Sequence, residues 1–298
     1  MLDNFFLLEN IQKSVYTNEG KTIRVLDQVD INVENHEFIC IMGPSGCGKS
    51  LLLRIMGGID NMSGGKISFK GNVYEDGIDK QTKSDFGYVF QHDNLLDWRT
   101  VYQNVHLPLE FDKKSNTKKT DERERILNVL KLVGLDAYEK SYPRELSGGM
   151  RQRTAIARAL VHNPSILLLD QPFGALDAIT RKILSYELLK IWHREQKTVI
   201  MVTNNIEEAL LLSNKIYVLS RKPSNVTHII DVPFTYDERW TNLLEHPEYE
   251  AVTEELTGYL SERSEHENAH ESQDNHSTVK SLDHYLASLG DIDHRVSC

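Results

Sequence analysis

The order of apolar and polar positions divides this chain into strands and helices before any single residue is considered. Residues 23–33 (IRVLDQVDINV) largely alternate apolar and polar, as a half-exposed strand does. Residues 37–42 (EFICIM) form a nearly continuous apolar run that ends in a glycine-rich turn, and 66–70 (KISFK) and 86–90 (FGYVF) are further strand candidates. Helical spacing predicts one helix over Asp121–Val133, stopped by Gly134, and another from Ser147 to about His162, with Pro164 just beyond it. Leu167–Leu169 and Thr198–Thr203 are short apolar runs of the kind buried on both faces, and the longer amphipathic stretch Leu176–Glu195 lies between them. Buried strands alternating with helices predict a largely parallel sheet covered on both sides. A mostly helical insertion is expected at about 92–162, and the chain has no internal repeat.

Beyond about residue 235 the pattern changes. Residues 262–280 carry almost no apolar side chains and are expected to be disordered. From Ser261 to the end there are eight acidic and three basic residues, half of the net charge of −10. Leu282, Leu286 and Leu289 fall at helical spacing, which predicts a short helix over 281–289. His266, His270, His276, His284 and His294 are irregularly spaced with only Cys298 as a nearby thiol, so a solvated acidic linker is expected there rather than a metal site.

Composition narrows the class. With 298 residues, 40% hydrophobic and 26% charged, the chain has room for one large α/β domain plus an appendage. The negative balance is the wrong sign for gripping nucleic acid through its phosphates. No stretch approaches the roughly 20 apolar residues that span a bilayer. The opening MLDNFFLLENIQ lacks the basic segment and apolar run of a secretory signal. Cys40, Cys47 and Cys298 make no disulfide framework and suit a reducing compartment.

The chemistry begins at GPSGCGKS, residues Gly43, Pro44, Ser45, Gly46, Cys47, Gly48, Lys49 and Ser50, which fits G-x-x-x-x-G-K-[ST] between a buried strand and a helix. Glycines let backbone N–H groups turn toward phosphates, and the helix N-terminus adds partial positive charge. In such a loop Lys49 reaches the β- and γ-phosphates of a nucleotide, and the Ser50 hydroxyl ligates Mg2+. The pattern arises by chance in about one chain in a hundred of this length at average residue frequencies, and the strand before it argues against a plain surface turn. Cys47 reads as a tolerated small loop residue, the alternative being a thiol activated by Lys49. In ILLLDQP (Ile166–Pro172), Asp170 ends an apolar strand, where a carboxylate can hold Mg2+ beside the phosphate loop.

A third motif, LSGGMRQR (Leu146–Arg153), resembles the signature of the ABC ATPase family. The resemblance covers about residues 5–235 and implies a P-loop NTPase core of the ABC ATPase type, with an antiparallel β subdomain, a helical subdomain and a C-terminal extension. It implies ATP and Mg2+ as ligands. It also implies that two ATPase domains sandwich two nucleotides head to tail, so that Ser147, Gly148 and Gly149 serve the neighbour's site. By the same resemblance Tyr16 is placed like the residue that stacks on adenine. Gln91 is placed like the Q-loop glutamine that senses the γ-phosphate and joins Ser50 and Asp170 near Mg2+, and Asp177 like the D-loop aspartate that serves in trans. Residues 95–111 (LLDWRTVYQNVHLPLEF), and IIDVPF followed by EHPEYEAVTEEL, look like the importer class for nitrate, sulfonate, taurine and bicarbonate. That class implies a transmembrane permease, an extracytoplasmic solute-binding protein, and a peripheral position on the cytoplasmic face of the membrane. The domain expectation is an ATPase domain over 1–235, a helical segment of the importer class over 236–260, and the acidic tail over 261–298.

Four positions depart from the family pattern. Gln171 follows Asp170 where the family has the glutamate that activates water, and an amide cannot accept that proton. Asn204 stands for the histidine that contacts the γ-phosphate, Asn205 for the aspartate beside it, and Leu51 for the threonine that bonds the α-phosphate. Leu51, Gln171 and Asn204 all belong to the site around this chain's own P-loop. The expectation is therefore a hydrolysis-impaired site here and a live site on a paralogous second ATPase. Two alternatives stay open: a homodimer in which Gln171 is an introduced ATP-trapping change, and a non-transport ABC ATPase. The latter is disfavoured by the acidic charge and the single ATPase domain.

Overall fold

The computed structural model describes residues 5–16, 20–111, 119–241 and 243–261, so the tail histidines, Cys298 and the helix expected over 281–289 lie outside the described residues. β1 (Phe6–Tyr16) and β2 (Thr22–Val33) come first, then β3 (Phe38–Met42), α1 (Lys49–Met56), β4 (Gly64–Phe69), β5 (Asn72–Tyr74) and β6 (Phe86–Val89). Three α-helices, α2 (Val101–Phe111), α3 (Lys119–Leu132) and α4 (Gly148–Leu160), stand between β6 and β7 (Ile166–Asp170). There follow α5 (Ala178–Glu195), β8 (Thr198–Val202), α6 (Ile206–Leu212), β9 (Lys215–Leu219), β10 (Val226–Asp231), α7 (Tyr236–Thr241) and α8 (Tyr249–Ser261). The chain divides into a unit over Met1–Ala251 and a second over Val252–Cys298, of which the described part is the C-terminal portion of α8.

Two sheets result. The first, in the order β2-β1-β4-β5, is antiparallel throughout. The second runs β10-β9-β3-β8-β7-β6, parallel from β9 to β6, with β10 antiparallel at the edge. Every residue of β3, β7 and β8 is buried, which is why these strands read as continuous apolar runs. One face of the second sheet supplies Ile39, Ile41, Ile166, Leu168, Ile200 and Val202 to a cluster that also holds Leu52, Leu53, Ile55 and Met56 of α1 and Phe6, Leu8 and Ile31 of the first sheet. The sheets meet through rings: Phe6 and Phe86 stand edge to face at 5.7 Å, and Phe69 and Phe86 are tilted at 5.1 Å.

Helix starts fall where the sequence offers caps. Ser147 accepts from the N–H of Met150, so α4 begins one residue later than expected. Asp177 accepts from the N–H of Thr180, which moves the start of α5 to Ala178. Gly134 has φ +69 and ends the α3 region, as its position predicts. After the second sheet, α7 is pinned by Arg239, 1% exposed, which donates to the carbonyl oxygen of Leu212 at 3.3 Å. Burial lowers its pKa to about 10.

Gly87 in β6 lies where α4 approaches this sheet closely. A Cβ there would lie 2.6 Å from the carbonyl oxygen of Ala159 and 2.9 Å from Pro164 Cγ. Gly87→Ala is expected to destabilise the protein by roughly 1–3 kcal/mol, read as a lower melting temperature. A change within experimental error would mean that α4 can move off the sheet freely.

Candidate functional site

The apolar strand β3 ends at Met42, and the chain then turns through Gly43–Gly48 into the N-terminus of α1. Two glycines make the turn possible. Gly43 has φ +149, with a virtual Cβ 2.8 Å from the carbonyl oxygen of Leu219, and Gly48 has φ +114, with one 2.9 Å from Val25 Cγ1. No side chain caps α1, so the backbone N–H groups of its first turn are free for an anion. Lys49 is 5% exposed and its Nζ donates to the carbonyl oxygens of Gly43 (2.7 Å) and Pro44 (2.8 Å), bracing the loop. Burial lowers the Lys49 pKa, opposed by Cys47 and Asp170. Cys47 is 2% exposed within the apolar cluster, which agrees with the small-loop-residue reading rather than an exposed reactive thiol.

The parallel register brings the second half of the site alongside. Ser50 Oγ donates to Asp170 Oδ1 at 2.8 Å across 120 residues of sequence. Burial raises the Asp170 pKa, and the Ser50 hydroxyl, Lys49 and Arg54 pull it back down. A hydroxyl and a buried carboxylate in contact beside a glycine cradle are a donor set that fits Mg2+ and a polyphosphate.

Gln171 continues β7 in the left-handed region at φ 44, with its N–H bonded to the carbonyl oxygen of Val202 at 2.9 Å. Asp170 is paired with Val202 in the β7–β8 register, so Gln171 and the loop Thr203–Asn205 leave adjacent strand ends. Asn204 is exposed, while Asn205 caps α6 by accepting from the N–H of Glu208 at 2.9 Å. Leu51 is partly buried and leans on the apolar cluster under the loop. Gln91 lies exposed just past the end of β6, and Tyr16 ends β1 at 82% exposure. Gly148 and Gly149 stand next to the start of α5, their virtual Cβ atoms 3.2 Å from Leu176 Cδ2 and 2.9 Å from Thr180 Cγ2.

Sequence reasoning missed the residues that hold these loops in place. Arg151 Nε donates to Asp93 Oδ2 at 3.0 Å, and Arg158 donates to the carbonyl oxygens of Asp93 (2.6 Å) and Asn94 (2.7 Å). The segment after Gln91 is thereby tied to α4. The phenol of Tyr88 is pushed up by burial and by the charge of Asp170, and so stays protonated. Spacing carries no signal for such long-range pairs.

A profile of the ABC transporter family matches residues 26–174, which span the glycine cradle, the signature helix and Asp170. The chain belongs to the ABC transporter family. An aliphatic sulfonates import ATP-binding protein of Bacillus thuringiensis subsp. konkukian is 41% identical over 229 residues, 76% of this chain and 86% of that protein. A taurine import ATP-binding protein of Rhizobium johnstonii is 40% identical over 247 residues, 81% of this chain and 90% of that protein. Among solved structures, a dimeric ATP-binding cassette in a post-hydrolysis state with ADP and Pi matches with a TM-score of 0.67 at 34% identity, over 77% of this chain and all of that one. The ABC ATPase fold accounts for the division seen here: an antiparallel sheet, a parallel core sheet, and a helical subdomain between β6 and β7. Among the described residues of this family member, no helix is long and apolar enough to cross a membrane, and no group of His, Cys, Asp and Glu is arranged to hold a metal on its own.

Proposed function

We propose that this chain is the ATP-binding subunit of a membrane importer for a small anion or organic solute of the nitrate, sulfonate, taurine or bicarbonate class. It works at the cytoplasmic face against a transmembrane permease fed by an extracytoplasmic solute-binding protein. The names of the sulfonate and taurine relatives support the importer class. Mg-ATP, when bound, supplies the free energy that closes and reopens the ATPase dimer. The chain's residues would hold it: Tyr16 the adenine, the N–H groups of Gly43–Ser50 and Lys49 the phosphates, and Ser50, Asp170 and Gln91 the metal.

The same reading makes this site slow. What supports it is the replacement of the family's residues at Leu51, Gln171 and Asn204, beside a Ser50–Asp170 contact that is intact. Without a carboxylate at 171 there is no group to take the proton of the attacking water, a loss of about 10²- to 10⁴-fold. Ser147, Gly148, Gly149 and Asp177 are unaltered and serve the nucleotide of a second, paralogous ATPase. Hydrolysis there suffices to reopen the pair.

The purified chain is expected to bind Mg-ATP in calorimetry and to turn it over barely above background. Robust hydrolysis by the chain alone, lost on Lys49→Met, overturns the slow-site reading. Formation of an active homodimer would overturn the paralogue.

A further inference from the structure

The turn at Asp177 and the loop at Asn204 serve different nucleotides in the proposed function, yet a run of hydrogen bonds with one ion pair in its middle joins them inside this one chain. Arg181, one turn into α5, donates from Nη2 to the carbonyl oxygen of Leu176 at 3.0 Å, fixing the turn just before Asp177. Its Nε faces Glu208 Oε1 in α6 at 3.6 Å. The other oxygen, Glu208 Oε2, accepts from the Thr203 hydroxyl at 2.6 Å, and that hydroxyl oxygen accepts from the N–H of Asn205 at 3.0 Å. Each end of the run therefore grips backbone, and the middle is a single carboxylate shared by two helices.

Burial makes this carboxylate sensitive to both ends. The Glu208 side chain is 7% exposed and Thr203 is 2% exposed, so the charge has little water to fall back on and depends on its two partners. The two contacts differ in quality. The Thr203 bond is short, whereas 3.6 Å at Arg181 is an ion pair beyond the range of an N–H···O hydrogen bond. Beside that looser contact lies a cavity of about 90 Å³ lined by Ala178, Arg181, Ser185, Asn205, Glu208 and Leu211. The joint has room to tighten or slacken while its outer ends stay bonded.

We propose that Arg181 and Glu208 are positioning residues that couple the Asn204 loop to the Asp177 turn, so that nucleotide on this chain's own P-loop sets the geometry of the turn offered to the second ATPase. The destination of the signal rests on the proposed function; the coupling itself belongs to the single chain. It is reciprocal, so a partner that orders the Asp177 turn tightens nucleotide binding at the slow site by the same factor. A slow site then still has a task, which is to report through this joint that ATP is bound.

The test is hydrogen exchange of the backbone of 174–178 and of 203–206 in the full chain, with and without saturating Mg-AMP-PNP, at two protein concentrations. In the parent chain nucleotide is expected to slow exchange in both segments, to the same extent at both concentrations. Glu208→Gln keeps an acceptor for Thr203 and removes the charge facing Arg181; Arg181→Met removes the other half. In both variants nucleotide is expected to slow 203–206 as before, with affinity changed less than about threefold. Protection at 174–178 is expected to fall at least about fivefold, the lower end of usual coupling strengths. Retained protection at 174–178 in either variant, or none there in the parent, overturns the proposal. So does equal loosening of both segments without nucleotide, which is what a merely structural role gives. Protection that grows with concentration points to a second copy covering the turn, and also overturns it. ATP turnover of the same samples separates the two ideas: rapid hydrolysis by the parent sinks the slow-site reading and leaves the coupling standing.

Discussion

Gln171→Glu combined with Asn204→His is expected to raise ATP hydrolysis by the purified chain about 10²-fold or more. A positioned proton acceptor contributes about 10²–10⁴ to such a step, and Gln171 supplies none. The geometry favours recovery. Gln171 is held by its own N–H on Val202 and by the N–H of Gly174, which donates to the Gln171 carbonyl oxygen at 3.1 Å. Its left-handed backbone is therefore fixed by neighbours and not by the amide side chain, and a glutamate of the same size enters the same conformation. Position 204 is exposed, so an imidazole displaces no packing and stability is expected to stay within about 0.5 kcal/mol of the parent. Gln171→Glu alone should give the larger share of the gain, because it restores the proton acceptor. Steady-state phosphate release reads the outcome. An unchanged rate in both variants would place the limit elsewhere, with Leu51 and Asn205 the remaining departures.

The second large effect is loss of binding without loss of fold. Lys49→Met is expected to weaken Mg-ATP binding by about 10- to 10²-fold, since hydrogen bonds to a charged partner contribute about 1.5–3 kcal/mol and each 1.4 kcal/mol is about tenfold. Stability should move little. Lys49 Nζ is buried against two carbonyl oxygens with no carboxylate bonded to it, and burial already pulls its pKa down. Removing it leaves those carbonyls short of a donor but also deletes a desolvated charge, and methionine fills a similar volume. Melting within a few degrees of the parent, together with lost heat of binding in calorimetry, is the expected pair of results. A drop in affinity under about tenfold would mean that the phosphates do not sit in the Gly43–Ser50 cradle.

How far the sequence could be read depended on the range of the interactions involved. β3, β7 and β8 were legible because a strand buried on both faces must be apolar throughout. The starts of α4 and α5 were legible to within a residue or two because Ser147 and Asp177 are local caps. β1 was not legible. Its register shifts between Leu8 and Ile11 and again before Lys13, with Asn10 at φ 54, so the two-residue alternation breaks in the middle of the strand. β9 is short and β10 is an edge strand with mixed burial, and neither was anticipated. At the site, residue types and order pointed to the cradle, Asp170 and the four replaced positions. The supports were hidden: Asp93 meets Arg151 58 positions away, and Arg181 meets Glu208 across two elements. Leu51 could be recognised as a departure, but only the fold shows it leaning on the apolar cluster beneath the loop.

The signature glycines adjoin Leu176 and Thr180, whereas the cradle rests on Val25 and Leu219, so the two functional halves of this chain are anchored in different neighbourhoods. A side chain added at a signature glycine would meet Leu176 or Thr180, and one added at Gly43 or Gly48 of the cradle would meet Leu219 or Val25. In the proposed pair, a copy whose own site is slow is still kept for the signature face it lends to its neighbour.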